Sequence, residues 1–108
     1  MVEFPQRDGD CPPDVAPEDA LVRRLPIVNR KGLHARASAK FVQTVERYDA
    51  EVTVSRCGET VGGRSIMGLL TLAAAQGTEI LVAARGPQAQ AAMDALTDLV
   101  AGRFGEEI

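Results

Sequence analysis

The chain has 108 residues, room for one domain, and its 45% hydrophobic content is that of an ordinary soluble globule. Aromatic residues make up 4% and Trp is absent, so the core has to be built from Val, Leu, Ile and Ala. The formal charge of -3 is divided: Met1 to Ala20 carries six acids against one base and the remainder eleven bases against nine acids, too small a surplus for a nucleic-acid stripe but suited to an acidic protein partner.

No apolar run approaches the roughly 18 residues needed to span a bilayer. Met1 to Ala20 lacks the basic start and apolar centre of a signal peptide, so a cytoplasmic protein without membrane insertion is expected. Cys11 and Cys57 have no CxxC or CxxxC spacing and no His nearby. That argues against zinc and against a secreted disulfide framework, and for a reducing compartment.

Met1 to Ala20 holds four of the six prolines, its six acids and few large apolar side chains, the composition of a disordered acidic extension. The domain is expected over residues 21–108. A strand at about Leu21 to Val28 places Leu21, Leu25 and Ile27 on one face, and Pro26, without an amide proton, suits a sheet edge. After the loop Asn29 to Gly32, Phe41, Val42 and Val45 recur at helical spacing among polar residues, predicting a helix from Ala35 to about Tyr48. Val52 and Val54 alternate with Thr53 and Ser55, and Cys57-Gly58 precedes Glu59 to Val61, which reads as a hairpin.

Ser65 is placed to cap a short helix running to about Ala75, with Gly77 closing it in the left-handed conformation. Thr78 to Ala84 alternates as a last strand. Pro87 opens a final helix whose Ala89, Ala92, Met93, Leu96 and Leu99 or Val100 form a stripe up to Gly102. The order βαββαβα predicts an α+β fold, a four-stranded antiparallel sheet with three helices on one face.

His34 is the single histidine, placed where the loop meets the first helix. Free backbone amides and the helix dipole favour an anion there, and Arg36 adds a cation able to fork two bonds to phosphate and to keep the imidazole neutral. A lone histidine is more often a polar cap. Here, however, no Asp or Glu stands near it in sequence to make a hydrolytic pair, no Ser or Cys is locally poised as a nucleophile, and one His makes a poor metal site.

Gly32-Leu33-His34-Ala35-Arg36-Ala37-Ser38-Ala39 resembles the active-site motif of the HPr phosphocarriers of the phosphoenolpyruvate-dependent phosphotransferase system. The segment from Gly63 to Ala73, containing Ser65-Ile66-Met67-Gly68-Leu69-Leu70, is similar to the second motif of that family, and the likeness runs from about Leu21 to Val100. The resemblance implies an open-faced β-sandwich and a phosphoryl group carried on the ring δ nitrogen of His34 and stabilised by Arg36. It also implies Enzyme I as donor, IIA-type proteins as acceptors, no cofactor, and a carrier that is not itself an enzyme and acts as a monomer. Ser65 resembles the regulatory serine modified by HPr kinase/phosphorylase in some members. Many members have proline where this chain has Ala37; the substitution restores an amide donor and loses rigidity. With the acidic extension, it resembles variants in the nitrogen-related branch.

In the second helix, Leu69, Leu72 and Ala73 cluster on one side, while Ile66, Met67 and Leu70 make a separate arc. A helix buried all round is difficult in so short a chain, and exposed Met and Leu mark a partner surface. A different class of function, a stoichiometric regulatory docking module switched by phosphorylation, would not need His34. An RNA-binding domain lacks an aromatic platform and a strong basic face.

Overall fold

Period-two alternation, a tight turn and an edge proline generate the sheet. The computed structural model describes Pro12, Asp14 and residues 16–108. Strand β1 is Leu21–Pro26, helix α1 Ala35–Val45, β2 Glu51–Arg56, β3 Glu59–Gly62, α2 Ile66–Thr71, β4 Glu79–Arg85 and α3 Ala89–Ala101. A 3-10 turn, Arg103–Gly105, follows α3. The four strands are antiparallel in the order β1-β4-β2-β3, so β1 is an edge strand and Pro26 loses no ladder bond on its free side.

The inner face of the sheet is set by register. Leu25 lies opposite Ile80, Val54 opposite Val82 and Val52 opposite Ala84, and these residues join Phe41, Val45, Leu69, Met93, Leu96 and Val100 in one buried cluster beneath the helices. β4 is central, and Leu81 and Ala83 on its other face are also buried. The β2–β3 connection is two residues long, with Cys57 at φ +54 and Gly58 at φ +80, the doubly left-handed geometry that matches strand twist.

The helices depart from the sequence expectation at their ends. α1 stops at Val45 rather than near Tyr48, because Arg47 N–H bonds Thr44 O and Tyr48 N–H bonds Val45 O, tightening the last turn. α2 stops at Thr71 rather than Ala75, with Ala73 at φ +51 and the Ala74 carbonyl turned away to accept Leu33 N–H at 2.9 Å. Gly77 is left-handed at φ +91, as expected, but its amide bonds Ile27 O and so joins β1 to the loop instead of closing α2. β1 ends at Pro26, two residues early, yet Ile27 is buried as its period predicted.

The cysteine reading needs correction: Cys57 is disulfide-bonded. Cys11 lies outside the described residues. Spacing rules recognise metal sites and local pairs and do not report whether two widely separated cysteines are bonded. Of the acidic extension, residues 1–11, 13 and 15 lie outside the described residues. The Asp14 carboxylate accepts the Gly58 amide at 2.8 Å, and Asp19 pairs with Arg85 at 3.3 Å.

Candidate functional site

The loop between β1 and α1 is built to present one side chain. Gly32 has φ +67, and a Cβ there would stand 2.5 Å from the Ala74 carbonyl oxygen, so only glycine lets this loop lie against the turn after α2. The next amide, Leu33 N–H, uses that same carbonyl, and Leu33 is buried. His34 follows as the N-cap of α1 with extended backbone (φ -78, ψ -175) and no side-chain capping bond. Its carbonyl accepts Ser38 N–H at 2.8 Å, the first bond of the helix, which leaves the amides of Ala35, Arg36 and Ala37 without intrahelical acceptors. With its side chain 27% exposed, His34 stands within reach of solvent beside those amides.

Arg36 is exposed and lines the same depression as His34, together with Lys31. Among the described residues its guanidinium has no hydrogen bond or ion pair, so it is available to an anion. On the other side of His34, a second depression is lined by Leu33, Leu70 and the turn Ala73 to Ala75. Thus His34 lines one depression with Arg36 and a second with Leu70, which comes from a distant part of the sequence. Met67 is 72% exposed and Ile66 39%, while Leu69 and Leu72 are buried; Ala73, expected with them on the core side, is instead exposed, because the helix has ended and its backbone is left-handed. Ser65 caps α2 as expected, its hydroxyl accepting Gly68 N–H at 2.9 Å.

One member of the site was missed in the sequence. Glu106 Oε2 lies 2.5 Å from His34 Nε2, and its other oxygen accepts from Asn29 Nδ2 at 3.0 Å. Asn29, wholly buried, also donates through Nδ2 to Gly32 O at 2.9 Å, so one amide joins the loop to the carboxylate. The Asn29 hydrogen bond foremost, with that of His34, holds the Glu106 carboxyl below the usual carboxylate range against the opposing effect of burial. The separation from His34 in sequence gave no local signal. Among the described residues no cluster of His, Cys, Asp and Glu is arranged to hold a metal ion, and no helix is long and apolar enough to cross a membrane.

A family model described as the PTS HPr component phosphorylation site matches residues 21–102. The chain belongs to the HPr phosphocarrier family. It is 50% identical over 86 residues to phosphocarrier protein HPr of Neisseria meningitidis serogroup A, covering 80% of this chain and 97% of that protein. It is 48% identical to HPr of Cupriavidus necator with the same coverage. Among solved structures, HPr-C-His from Thermoanaerobacter tengcongensis superposes with a TM-score of 0.78 at 36% identity, covering 82% of this chain and 99% of that one. The HPr from Bacillus anthracis superposes at 0.72 with 34% identity, covering 75% and 96%. The open-faced α+β architecture expected from the sequence is therefore that of the HPr family.

Proposed function

We propose that this chain accepts a phosphoryl group on Nδ1 of His34 from phospho-Enzyme I, charged by phosphoenolpyruvate, and passes it to IIA-type proteins. The observation that carries this reading is the placement of His34 at the amino end of α1: a partly exposed imidazole beside three free amides and the Arg36 guanidinium. Neutral imidazole attacks phosphorus with the Nδ1 lone pair as the bond to the donor breaks, its electron pair leaving with the donor. The amides, the helix dipole and Arg36 then face the new phosphate charge. A dipole contribution of about 0.3 to 1 kcal/mol steadies the anion without preventing onward transfer. Turning over only with partner enzymes, the chain acts as a carrier rather than a catalyst.

Ile66, Met67 and Leu70 form the docking patch, and Arg36, beside His34, meets acidic partners. Ser65, at the start of the same helix, is the regulatory site for HPr kinase/phosphorylase. Ala37 and the acidic segment favour the nitrogen-related branch. We further propose that the protein works as a monomer in the cytoplasm; the disulfide at Cys57 is the observation that pulls the other way, since cytosolic thiols are kept reduced. Thiol counting on protein trapped from cell extracts decides that point.

Incubation with Enzyme I and labelled phosphoenolpyruvate tests the central reading. Acid-labile, alkali-stable label is expected on the wild type and none on His34→Ala. Label retained by His34→Ala, or no label on the wild type, overturns it.

A further inference from the structure

The segment after α3 holds Glu106 against His34 at considerable conformational cost. Arg103, Phe104 and Gly105 have φ of +59, +55 and +80, three successive left-handed residues of which only one is glycine. Such backbone persists in non-glycine residues where the surroundings over-determine it. Here Phe104 is fully buried in the core, Lys40 Nζ donates to Phe104 O at 2.6 Å, and Arg30 N–H bonds Ile108 O at 3.1 Å. Between those two anchors, Glu106 divides its carboxylate between buried Asn29 and the His34 ring.

We propose that Glu106 is a positioning residue for His34, accepting Nε2–H so that the ring is held in one orientation with Nδ1 as the unprotonated, attacking nitrogen. This rests on the phosphocarrier reading of His34. An imidazole has one N–H when neutral, and the hydrogen bond made by one nitrogen decides which carries it. A carboxylate can only accept, so it selects the Nε2–H form and leaves the Nδ1 lone pair free. When that lone pair forms the bond to phosphorus, the proton stays on Nε2 and the ring gains positive charge. Glu106 faces that charge from the side remote from the phosphate. As the phosphoryl group leaves, the N–P electron pair returns to Nδ1 and the neutral ring is restored unchanged. Glu106 touches neither phosphate nor donor, and it acts only through the ring.

The test uses the full chain with Glu106→Gln, which keeps a carbonyl acceptor but loses the charge, and Glu106→Ala, which loses both. Phosphoryl acceptance from phospho-Enzyme I is followed at varied carrier concentration, and the His34 ring is observed by nitrogen-15 NMR. The expected result is a fall in kcat on the order of tenfold for Ala, typical of losing a partner that orients an imidazole, with Gln intermediate. KM should be unchanged, and the exchange-protected Nε2–H signal of the wild type should disappear in Ala. Wild-type kcat in both variants overturns the proposal while leaving the phosphocarrier reading intact, as does a defect confined to KM. A wild type that takes no label on His34 overturns the underlying reading instead.

Discussion

Gly32 and Ala74 are in direct backbone contact: no side-chain atom fits between the Gly32 α carbon and the Ala74 carbonyl oxygen. The contact fixes the loop that carries His34 to the turn that follows α2, and the Leu33–Ala74 hydrogen bond seals it. Gly32→Ala meets both a clash with backbone and a left-handed φ of +67. The expected loss is about 1–3 kcal/mol in urea unfolding. Phosphoryl acceptance should fall further than stability alone explains, because the loop must move and His34 moves with it. An alanine variant with wild-type stability would show that the loop yields without strain.

Phe104 anchors the segment that delivers Glu106. Its ring is fully buried between α1 and α3, so Phe104→Ala should cost about 3–5 kcal/mol, the usual range for emptying a phenylalanine site. Equilibrium unfolding measures this directly. The His34 ring proton should exchange faster in the same variant at temperatures where the fold persists, since Glu106 then keeps only its polar anchors.

The sheet and most of the core were legible because both rest on short-range periodicity. Val52, Val54, Ile80 and Val82 alternate, Phe41, Val42 and Val45 repeat at helical spacing, and all of these are buried. His34 and Arg36 were legible because they share one loop and helix start. Glu106 was not, since its role depends on the chain turning back after α3 through three left-handed residues, and neither Arg103 nor Phe104 signals that backbone. The helical stripe ends at Gly102, so periodicity does not place Phe104 in the core, where it is fully buried. The shortening of α2 was hidden in the same way: Leu72 to Ala75 has good helical propensity, but the Ala74 carbonyl is claimed by Leu33 from elsewhere in the chain.

Arg36 is exposed and makes no structural bond among the described residues, so its removal should leave stability within about 0.5 kcal/mol. Arg36→Glu should nevertheless slow transfer from phospho-Enzyme I sharply, replacing the cation beside His34 with a charge that repels phosphate. The salt dependence of the rate should weaken along with it. An unchanged rate in stopped or quenched-flow transfer would reduce Arg36 to a solvated helix residue.

The depressed Glu106 carboxyl makes stability depend on acid. In the unfolded chain this group has an ordinary value of about 4.3, and in the folded chain it is lower, chiefly through Asn29 and then His34. The folded state therefore binds fewer protons across that window. Its contribution is fully present above the unfolded value and is lost as pH falls through the folded one. Glu106→Gln lacks this contribution, so the stability difference between wild type and variant should be largest near neutrality and shrink below about pH 4. Urea midpoints measured across that range check it, and a difference independent of pH would mean that the carboxylate charge is not what Asn29 and His34 recognise.

Ser65 separates a structural role from a regulatory one within a single hydroxyl. As N-cap it accepts Gly68 N–H, and Ser65→Ala should cost about 1 kcal/mol while leaving phosphoryl acceptance intact. Asp also caps helices well, so Ser65→Asp should change the melting temperature little. The added charge acts elsewhere: Ile66 and Met67 follow directly and are exposed, and a partner covering them must desolvate the carboxylate or meet it with acidic groups of its own. Ser65→Asp is therefore expected to weaken binding to Enzyme I in titration calorimetry and to slow acceptance, far beyond its effect on stability. Phosphoserine, with a charge of roughly -1.5 to -2, should act in the same direction and more strongly. Unchanged binding and transfer in the Asp variant would leave Ser65 as a helix cap alone.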